Sequence, residues 1–504
     1  MSSILTNSSA MVALQTLKSI NSNLARTQSE ISTGKAVSNA KDNSAVWAIS
    51  KVMEADVNGF SAISDSLSLG ESTVAVARQA TETVTDLLTQ MKGKIVAAQE
   101  ENVDREKIQT DIAALRNQIS SVVGAAQFNG LNMVQGTDDV NILASLDRAS
   151  DGSVTASNIT VARQDMTTGQ GTFGSGASLA ANGTASAAAV ANTANTAIVS
   201  IANTWANNDV ANLTVAGVEL AYTFQTGDGV GDVAAYFEGA INGLGLEGIS
   251  ASSSGGDLTI STTRAFEEVA IATTETTAGD GDVLITTLNG TGSLSLTSGD
   301  IAERAENIAF STSAAINEGD SYKVTVGSAS YDYIAGAGET MEDVAKGLKI
   351  AIDSAGNSDL TTRVVQDSST GAWSLKVDNN GSSAAFSLSG NAGGEASGGL
   401  FGLSSIDVTT AAGATAALDN IETFIDNAID ASASFGSAQG RIETQNDFIG
   451  KLTDSLKSGI GSLVDADMEA ASARLQALQV QQQLGTQALS IANQAPQNIL
   501  SLFR

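Results

Sequence analysis

The sequence of 504 residues contains neither histidine nor cysteine. Without histidine there is no Ser-His-Asp triad, no HExxH zinc site and no imidazole general base. Without cysteine there is no thiolate nucleophile, no disulfide and no thiolate-bound metal cluster. Carboxylate-only hydrolysis is the class that these absences leave open, because the chain has 55 acidic residues. We therefore predict a protein that is not an enzyme and that uses no cofactor or metal.

Aromatic residues and proline are scarce as well. Aromatic residues make up 4% of the chain, and Pro496 is its one proline. Each small side chain buries little area. The composition therefore favours extended helical packing and small β modules over one large globule. The chain also exceeds the size at which a single core stops growing, roughly 250 to 300 residues. We predict an α+β protein of several domains.

Basic residues are few, and the formal net charge is -30. A protein that binds nucleic acid needs clustered Lys and Arg, and an anionic membrane surface repels a strongly acidic chain. The sequence contains no apolar run of about 18 residues that would predict a transmembrane helix. The first residues have neither a basic region nor a sustained apolar region of the kind found in secretory signals. We predict no nucleic-acid partner, no membrane partner and no cleaved signal peptide.

Apolar residues recur every seven positions in two long stretches, which is typical of helices that pack along a supercoil. The first stretch runs from Ile63 to Ile95 and the second from Ile421 to Leu463, where Leu418, Ile425 and Ile460 form an adjoining row. A turn is predicted near residues 100–106. The residues predicted to pack the resulting helical rod are Ile63, Leu67, Val74, Val84, Leu88, Ile95, Ile421, Phe435, Ile442, Ile449 and Leu456.

Both ends of the chain carry the same seven-residue spacing. Near the start the row contains Ala10, Leu17, Leu24 and Ile31, and near the end it contains Met468, Leu475 and Leu489, with Gln482 as a polar exception. Gly459 and Gly461 predict a flexible joint before the last helix, because glycine weakens helix interiors by roughly 1 kcal/mol.

The middle of the chain changes period from seven to two. The segments "VNILASL" and "NITVAR" predict a β-hairpin, and residues 170–200 predict either a linker or a weak Ala-rich helix. Two longer segments, about 205–275 and 318–390, repeat one pattern of two strands, an amphipathic helix and two strands. We predict two ββαββ-like modules there.

The chain ends in "NQAPQNILSLFR", which is apolar where chain ends are usually polar. Amphipathic ends with little other core to cover them must meet each other or a neighbouring molecule. Identical subunits that join head to tail without closing build a helical fibre. We expect the two ends to be largely disordered in the free chain and to fold on docking, because a pair of helices buries too little area to offset its ordering entropy.

Both ends resemble bacterial flagellin, the filament subunit. The N-terminal match includes Asn7, Ala13 and the "EISTGK" turn, and the C-terminal match includes Gln494, Pro496, Gln497 and Arg504. The resemblance covers about residues 1–135 and 415–504. It implies that the two ends pair as a coiled coil in the filament core. The core residues it indicates are Leu14, Leu17, Leu24, Ile31, Met468, Leu475, Leu478, Leu489, Leu500 and Leu502.

The resemblance also implies domains, partners and location. Residues 1–40 with 462–504 would form the core domain. Residues 41–169 with 413–461 would form a helical rod domain with a hairpin near 140–166, and residues 170–412 a variable surface insert. The implied partners are further copies of the chain, an export chaperone, the filament cap and hook-associated proteins. The implied location is the extracellular flagellum, reached through the flagellar type III export apparatus.

The sequence departs from the family pattern in the segment that an innate receptor binds in many flagellins. Many flagellins carry an Arg-rich segment that an animal innate receptor binds, and the matching positions in this sequence are Lys92, Val96 and Asp111. Because Lys lacks the planar fork of Arg, we expect weak recognition by that receptor. Three alternative functions are a hook-filament junction protein, a filament subunit whose insert is also an adhesin, and an enzyme-bearing flagellin. The zinc motif of the last requires histidine, which this chain lacks.

Overall fold

The structure is a computed structural model that describes residues 7–149, 153–276 and 280–502, with the backbone alone for 495–502. The described residues combine long helices with antiparallel sheets, so the predicted α+β class is confirmed. The helices are α1 Ser8–Thr33, α2 Ser44–Ala98, α3 Arg105–Ala125, α4 Val230–Gly243, α5 Met341–Ser354, α6 Ala411–Val464 and α7 Met468–Leu502.

The strands are short and lie between α3 and α6. They are β1 Gln127–Phe128, β2 Leu131–Asn132, β3 Val140–Arg148, β4 Val154–Val161, β5 Gly183–Ala185, β6 Ala189–Val190, β7 Asn195–Ala202, β8 Val210–Val215, β9 Val218–Thr223, β10 Ile249–Ser254, β11 Asp257–Thr262, β12 Val269–Thr276, β13 Asp282–Leu288, β14 Ser298–Ile301, β15 Glu306–Phe310, β16 Ser321–Val326, β17 Ala329–Ile334, β18 Leu360–Gln366, β19 Trp373–Asn379 and β20 Ala384–Asn391.

The chain forms two compact units. The terminal unit comprises Met1–Val74, Val140–Val161 and Ser437–Arg504, and the central unit comprises Ala75–Asp139 and Ala162–Gly436. Two of the four boundaries along the chain fall within the long helices α2 and α6, and the other two fall at the ends of the β3–β4 hairpin.

In the terminal unit, helix α1 begins and ends with recognisable caps. The Asn7 side chain accepts from the Ala10 backbone N–H, and Gly34 closes the helix in the left-handed conformation at φ 69°. The chain then pairs with the segment between α6 and α7, because the Ala36 N–H donates to the Val464 carbonyl (2.8 Å) and the Ala466 N–H donates to the Gly34 carbonyl (2.9 Å).

The β3–β4 hairpin of the terminal unit packs on two glycines of α2. A Cβ atom added at Gly70 would lie 2.6 to 3.0 Å from three atoms of the Ile142 side chain, and one at Gly59 would lie 3.1 Å from Leu146 Cδ1. The two glycines are eleven residues apart, which is about three helical turns, so they share one face. The absence of two side chains on α2 therefore makes the seat of the hairpin.

In the central unit, hydrogen bonds join α6 to Gln99, which directly follows α2, and join α3 to the backbone of the segment before α6. Thr415 of α6 donates to Gln99 Oε1 (3.4 Å), while Gln109 of α3 donates to the Ile406 carbonyl (2.8 Å) and accepts from the Val408 N–H (2.9 Å). The predicted turn between α2 and α3 is present, because α2 ends at Ala98 and α3 begins at Arg105.

Two β modules complete the central unit. Module A spans residues 195–301 and contains the sheets β14-β12-β8-β9 and β10-β11-β7-β13 with helix α4. Module B comprises residues 183–190 and 306–391 and contains the sheets β17-β16-β20-β6 and β18-β19-β15-β5 with helix α5. In each module the two hairpins that flank the helix belong to different sheets, and each sheet takes further strands from elsewhere in the module.

Module A is inserted into module B between β6 and β15. The two connecting segments lie together, since the Asn192 side chain donates to the Asn380 carbonyl (2.8 Å) and the Arg304 guanidinium binds both carboxylate oxygens of Asp378 (2.7 and 2.6 Å). This ion pair is almost fully buried. The entry and exit of module A are thus fixed at one place on module B.

Two local expectations differ from the structure. Residues 170–200 form no Ala-rich α-helix; they supply β5, β6 and part of β7, because neighbouring strands in modules A and B offer pairing partners. Helix α6 continues through Gly459 and Gly461 to Val464, so the predicted flexible joint is wrong in position. A Cβ atom added at Gly459 would lie 3.2 Å from Met53 Cε, so this glycine permits close packing.

Replacing Gly70 by Ala tests the seat of the hairpin. Gly→Ala in a helix ordinarily stabilises by about 1 kcal/mol, but a methyl group at this position displaces Ile142, and overpacking costs roughly 1 to 3 kcal/mol. Gly450→Ala is the matched control in the same unit, because an added Cβ atom there meets nothing within 4 Å. We expect urea unfolding followed by circular dichroism to rank Gly70→Ala below Gly450→Ala by about 1 to 3 kcal/mol. Equal free energies of unfolding for the two variants would contradict this account.

Candidate assembly surfaces

Helices α1 and α7 lie antiparallel and are joined by polar side chains along their length. The Asn7 amide donates to the Ala492 carbonyl (2.9 Å), and the Gln482 amide donates to Asn21 Oδ1 (2.8 Å). Farther along, Arg474 approaches Glu30 (3.9 Å). Gln482, the polar exception in the C-terminal heptad row, therefore has a hydrogen-bonding role between the two helices.

The apolar seam between α1 and α7 is thin. A Cβ atom added at Gly485 would lie 3.2 Å from Leu17 Cδ1 and 3.7 Å from Ile20 Cδ1, so α1 comes close to the α7 backbone there. Within the described parts of the two helices, the buried side chains are Thr27, Ala471 and Leu478. Two of these three are small, so the seam buries little apolar area.

The predicted core residues divide into four groups. Leu478 is buried. Leu14 and Met468 are 51% and 43% exposed. The side chains of Leu500 and Leu502 lie outside the described residues. The remaining predicted core residues are half-buried, namely Leu17, Leu24, Ile31, Leu475 and Leu489.

Helix α7 carries a second apolar row on the face away from α1. Val480, Leu484 and Ile491 are 54%, 57% and 68% exposed. At about 100° per residue they lie roughly 200 to 240° around the helix from the buried Leu478. We call Val480, Leu484 and Ile491 the outer stripe. The spacing of these residues, four and then seven positions, indicates a second apolar face in the sequence. The seven-residue row through Leu475 and Leu489 drew attention away from it.

The residues predicted to pack the helical rod are buried almost without exception. Leu456 alone among the eleven is half-buried. The ten buried residues are Ile63, Leu67, Val74, Val84, Leu88, Ile95, Ile421, Phe435, Ile442 and Ile449.

The second buried row of α6 lies one residue earlier than expected. The sequence indicated Leu418 and Ile425, which are half-buried, whereas the buried residues are Ala417, Phe424, Ala431 and Ala438. Positions three and four residues away from Ile421 share its face, so periodicity alone does not choose between them. Leu463, the predicted end of the first row, is exposed.

The three receptor-like positions lie on the helical part of the central unit. The Lys92 ammonium pairs with Glu422 of α6, and Lys94 pairs with Asp111 of α3 (2.6 Å). Val96 is exposed. Two of the three positions are therefore engaged in ion pairs between helices.

The described ranges contain neither a membrane-spanning helix nor a cluster of metal-binding side chains. No helix in residues 7–149, 153–276 or 280–502 is long and apolar enough to cross a membrane. In the same part of the chain, no group of three or more acidic side chains is arranged to hold a metal ion.

Comparison with known proteins gives the following matches. The family model of the bacterial flagellin N-terminal helical region matches residues 4–139, and that of the bacterial flagellin C-terminal helical region matches residues 418–503. Flagellin A of Rhizobium meliloti is 32% identical over 512 residues, and Flagellin B of Rhizobium meliloti is 31% identical over 513 residues; each comparison covers 100% of this chain and 100% of the relative.

Among solved structures, flagellar hook associated protein-3 from Legionella pneumophila is 10% identical, with a TM-score of 0.33. The match covers 82% of this chain and 98% of that chain. A likeness of this size supports no argument about the fold.

Because the chain has no cysteine, introduced thiols can test the pairing of α1 with α7 without background. The variant Leu17→Cys/Gly485→Cys places two thiols across the seam. In the control Leu17→Cys/Val480→Cys, the second thiol is on the outer stripe. We expect a short bis-maleimide reagent to cross-link the first variant at least tenfold faster, measured by gel mobility of the free chain. Similar rates in both variants would mean that the free ends are unpaired, as the sequence predicts for the undocked chain.

Proposed function

From the premise that this chain belongs to the bacterial flagellin family, we propose how its terminal helices build a filament. The protein is a structural subunit of the extracellular flagellar filament, polymerises with copies of itself for motility, and is not an enzyme. The role of a hook-filament junction protein is not favoured. The chain matches flagellins over its whole length at about 30% identity, whereas the hook-associated structure shares 10%.

The outer stripe carries the proposal. Its three apolar side chains are more than half exposed in a single chain, although they belong to a helix whose opposite face already packs on α1. Burying each such side chain is worth about 1.5 to 3 kcal/mol. Neighbouring copies of the chain that cover this stripe would supply the stabilisation that the thin α1–α7 seam lacks.

The proposed domains follow from this arrangement. Residues 1–40 with 462–504 form the coiled-coil core of the filament, and residues 41–169 with 413–461 form the rod that contacts neighbouring subunits. Residues 170–412 form the surface insert. Its two ββαββ-like patterns, about 205–275 and 318–390, correspond in order to β8-β9-α4-β10-β11 and β16-β17-α5-β18-β19.

The remaining partners follow from the family. Export through the flagellar type III apparatus, without a cleaved signal peptide, requires an unfolded chain that a cytoplasmic chaperone keeps from assembling. The filament cap and hook-associated proteins would then guide folding at the growing end. A single proline supports this role, since each X-Pro bond adds a slow isomerisation of tens of seconds to refolding.

Two aspartate substitutions test the filament core. Leu484→Asp places a charge on the outer stripe, and Leu24→Asp places one in the seam. We expect both to abolish filaments, because an unpaired buried charge costs more than the contact supplies. The matched control is Gln483→Asp, the exposed residue next to the stripe. Sedimentation and electron microscopy of purified protein mixed with filament seeds measure assembly.

The fold of the central unit serves as the internal control. Its thermal unfolding, followed by Trp205 and Trp373 fluorescence, should be unchanged in all three variants. Normal filaments from either Leu484→Asp or Leu24→Asp would refute the proposed core. Loss of filaments in Gln483→Asp as well would show that charge at the surface, and not the outer stripe, decides assembly.

The receptor-like positions yield a separate test. Lys92 is paired with Glu422 and lacks the planar fork of Arg, so we propose that the innate receptor binds this flagellin weakly. We expect Lys92→Arg with Val96→Leu to raise the response of receptor-bearing cells to purified monomer by about tenfold or more. Stimulation by the unmodified protein at nanomolar concentration would contradict the proposal.

A further inference from the structure

Six asparagine residues of the chain are followed directly by glycine. At such a pair the asparagine side chain can react with the main chain, because glycine has no Cβ atom that would hinder its own backbone nitrogen. The six asparagines are Asn58, Asn129, Asn182, Asn242, Asn289 and Asn380. Their surroundings differ, and the differences decide which pair reacts.

Four of the six pairs are restrained. Asn58 lies within helix α2, where each interior backbone N–H donates to the carbonyl four residues earlier. The side chains of Asn182, Asn242 and Asn380 are hydrogen-bonded to a tyrosine hydroxyl, to a backbone amide group and to a guanidinium group, respectively. Each of the four must break hydrogen bonds before it can react.

The other two pairs form the same kind of tight turn. Asn129 and Gly130 have φ of 50° and 84°, and Asn289 and Gly290 have φ of 50° and 79°. Two successive residues with positive φ are typical of the type I′ turn in a two-residue hairpin. All four residues are exposed, and a Cβ atom added on either glycine would meet nothing within 4 Å. The two sites are therefore matched in residue pair, backbone conformation and exposure.

Asn289 is held by three hydrogen bonds. Its Oδ1 accepts from the Ala302 N–H (2.9 Å), and its Nδ2 donates to the Asp300 carbonyl (3.0 Å). Its backbone N–H donates to the Thr196 carbonyl (2.9 Å). These bonds fix both the side chain and the backbone of Asn289.

Asn129 lacks a comparable restraint. Within the described residues, its side chain makes no hydrogen bond. The hairpin around it is short, because β1 and β2 pair only through Gln127 with Asn132 and Phe128 with Leu131. Short exposed elements with few buried contacts open locally at low cost in free energy. The Asn129 side chain is therefore free to approach the main chain whenever the turn opens.

The chain on both sides of this hairpin is anchored. Ala126 is buried before β1, and Met133 and Val134 are buried after β2. The Asn132 amide donates to the Val123 carbonyl near the end of α3 (2.9 Å). The turn can therefore open while the surrounding part of the central unit stays folded.

We propose that Asn129 is a site of spontaneous deamidation. The Gly130 backbone nitrogen attacks Cγ of Asn129 and forms an N–C bond, the Cγ–Nδ2 bond breaks, and ammonia leaves with the proton of the Gly130 amide. Water then adds to one carbonyl carbon of the succinimide ring and a ring C–N bond breaks, which leaves aspartate or isoaspartate at position 129. Overall, one water is consumed and one ammonia is released, without an oxidant, a reductant or an enzyme.

Either product changes the turn. Both products carry a carboxylate, so each adds a negative charge to a chain whose formal net charge is already -30. Isoaspartate also inserts the side-chain methylene into the main chain, which lengthens a turn between two strands of two residues each. Because the ammonia is lost to the solvent, modified chains accumulate as the protein ages.

Ageing of the purified full-length protein tests the proposal. Samples kept at neutral and at mildly alkaline pH are digested at intervals, and mass spectrometry follows the conversion of amide to acid at each Asn-Gly pair. We expect Asn129 to react at least about tenfold faster than Asn289, because the hydrogen bonds of Asn289 must break first. The rate at Asn129 should rise with pH, since the deprotonated amide nitrogen is the attacking group. Part of the product should be isoaspartate, which direct hydrolysis of the side chain does not form.

The same two sites in urea-unfolded protein provide the matched control. Unfolding removes the hydrogen bonds of Asn289, so the two rates should then agree to within about threefold. No reaction at Asn129, equal rates at the two sites in the folded protein, or a product free of isoaspartate would overturn the proposal. A tenfold difference that persists in the unfolded chain would overturn it as well, because the neighbouring residues in the sequence, and not the fold, would then set the rate.

Discussion

Helix α7 has apolar residues on two opposite faces, and a single chain covers one of them. A helix with two apolar faces leaves one of them exposed to water when it packs against a single partner. Here α1 encloses the side with Leu478, while Val480, Leu484 and Ile491 face outward. The polar contacts between α1 and α7 fix the register of the two helices, but they add little buried area. The hydrogen bond between Gln482 and Asn21 favours one register of the two helices. The apolar surface that remains exposed on α7 favours contact with neighbouring molecules.

Small residues do in the long helices what aromatic residues do in ordinary cores. Ala417, Ala431 and Ala438 let α6 approach its neighbours closely, and Gly59 and Gly70 of α2 admit the side chains of the β3–β4 hairpin. Many short contacts along a helix sum to a large dispersion energy although each is small. Large rings are concentrated in the two modules, where Phe237 and Tyr322 are buried in globular cores. The scarcity of aromatic residues thus reflects how much of the chain is long helix.

The sequence predicts much of the helical structure, because its signal is local. Leu67, Val74 and Leu88 occupy a seven-residue row that a straight helix must place on one face, and all are buried. The choice between Phe424 and Ile425 is not local; it depends on where the partner helix lies, and both positions satisfy the period. Thr27 was missed for another reason, since a buried threonine has no apolar signature. The buried face of α2 could be predicted, whereas the partner of a face could not.

The modules illustrate the same limit for strands. Alternation and turns in the sequence predict short strands around a helix in each module, but they do not predict that β7 pairs with β11 and β13, which lie far along the chain. Sequence alternation does not encode such partners, so the assignment of strands to sheets was out of reach. The insertion of module A into module B could not be predicted either. A change in composition indicates a domain boundary, but it does not indicate that the chain later returns to the earlier domain.

Module A is inserted into module B, and module B is inserted between α3 and α6. Module A enters and leaves module B at one place, held by Arg304 and Asp378, and module B enters and leaves its helical support where Thr172 pairs with Glu395. When both ends of an insertion are adjacent, its length and fold impose little strain on the structure around it. The helices that assemble can then keep their packing while the inserted modules change in size. The chain connectivity is therefore compatible with the proposed division into polymerising ends and a surface insert.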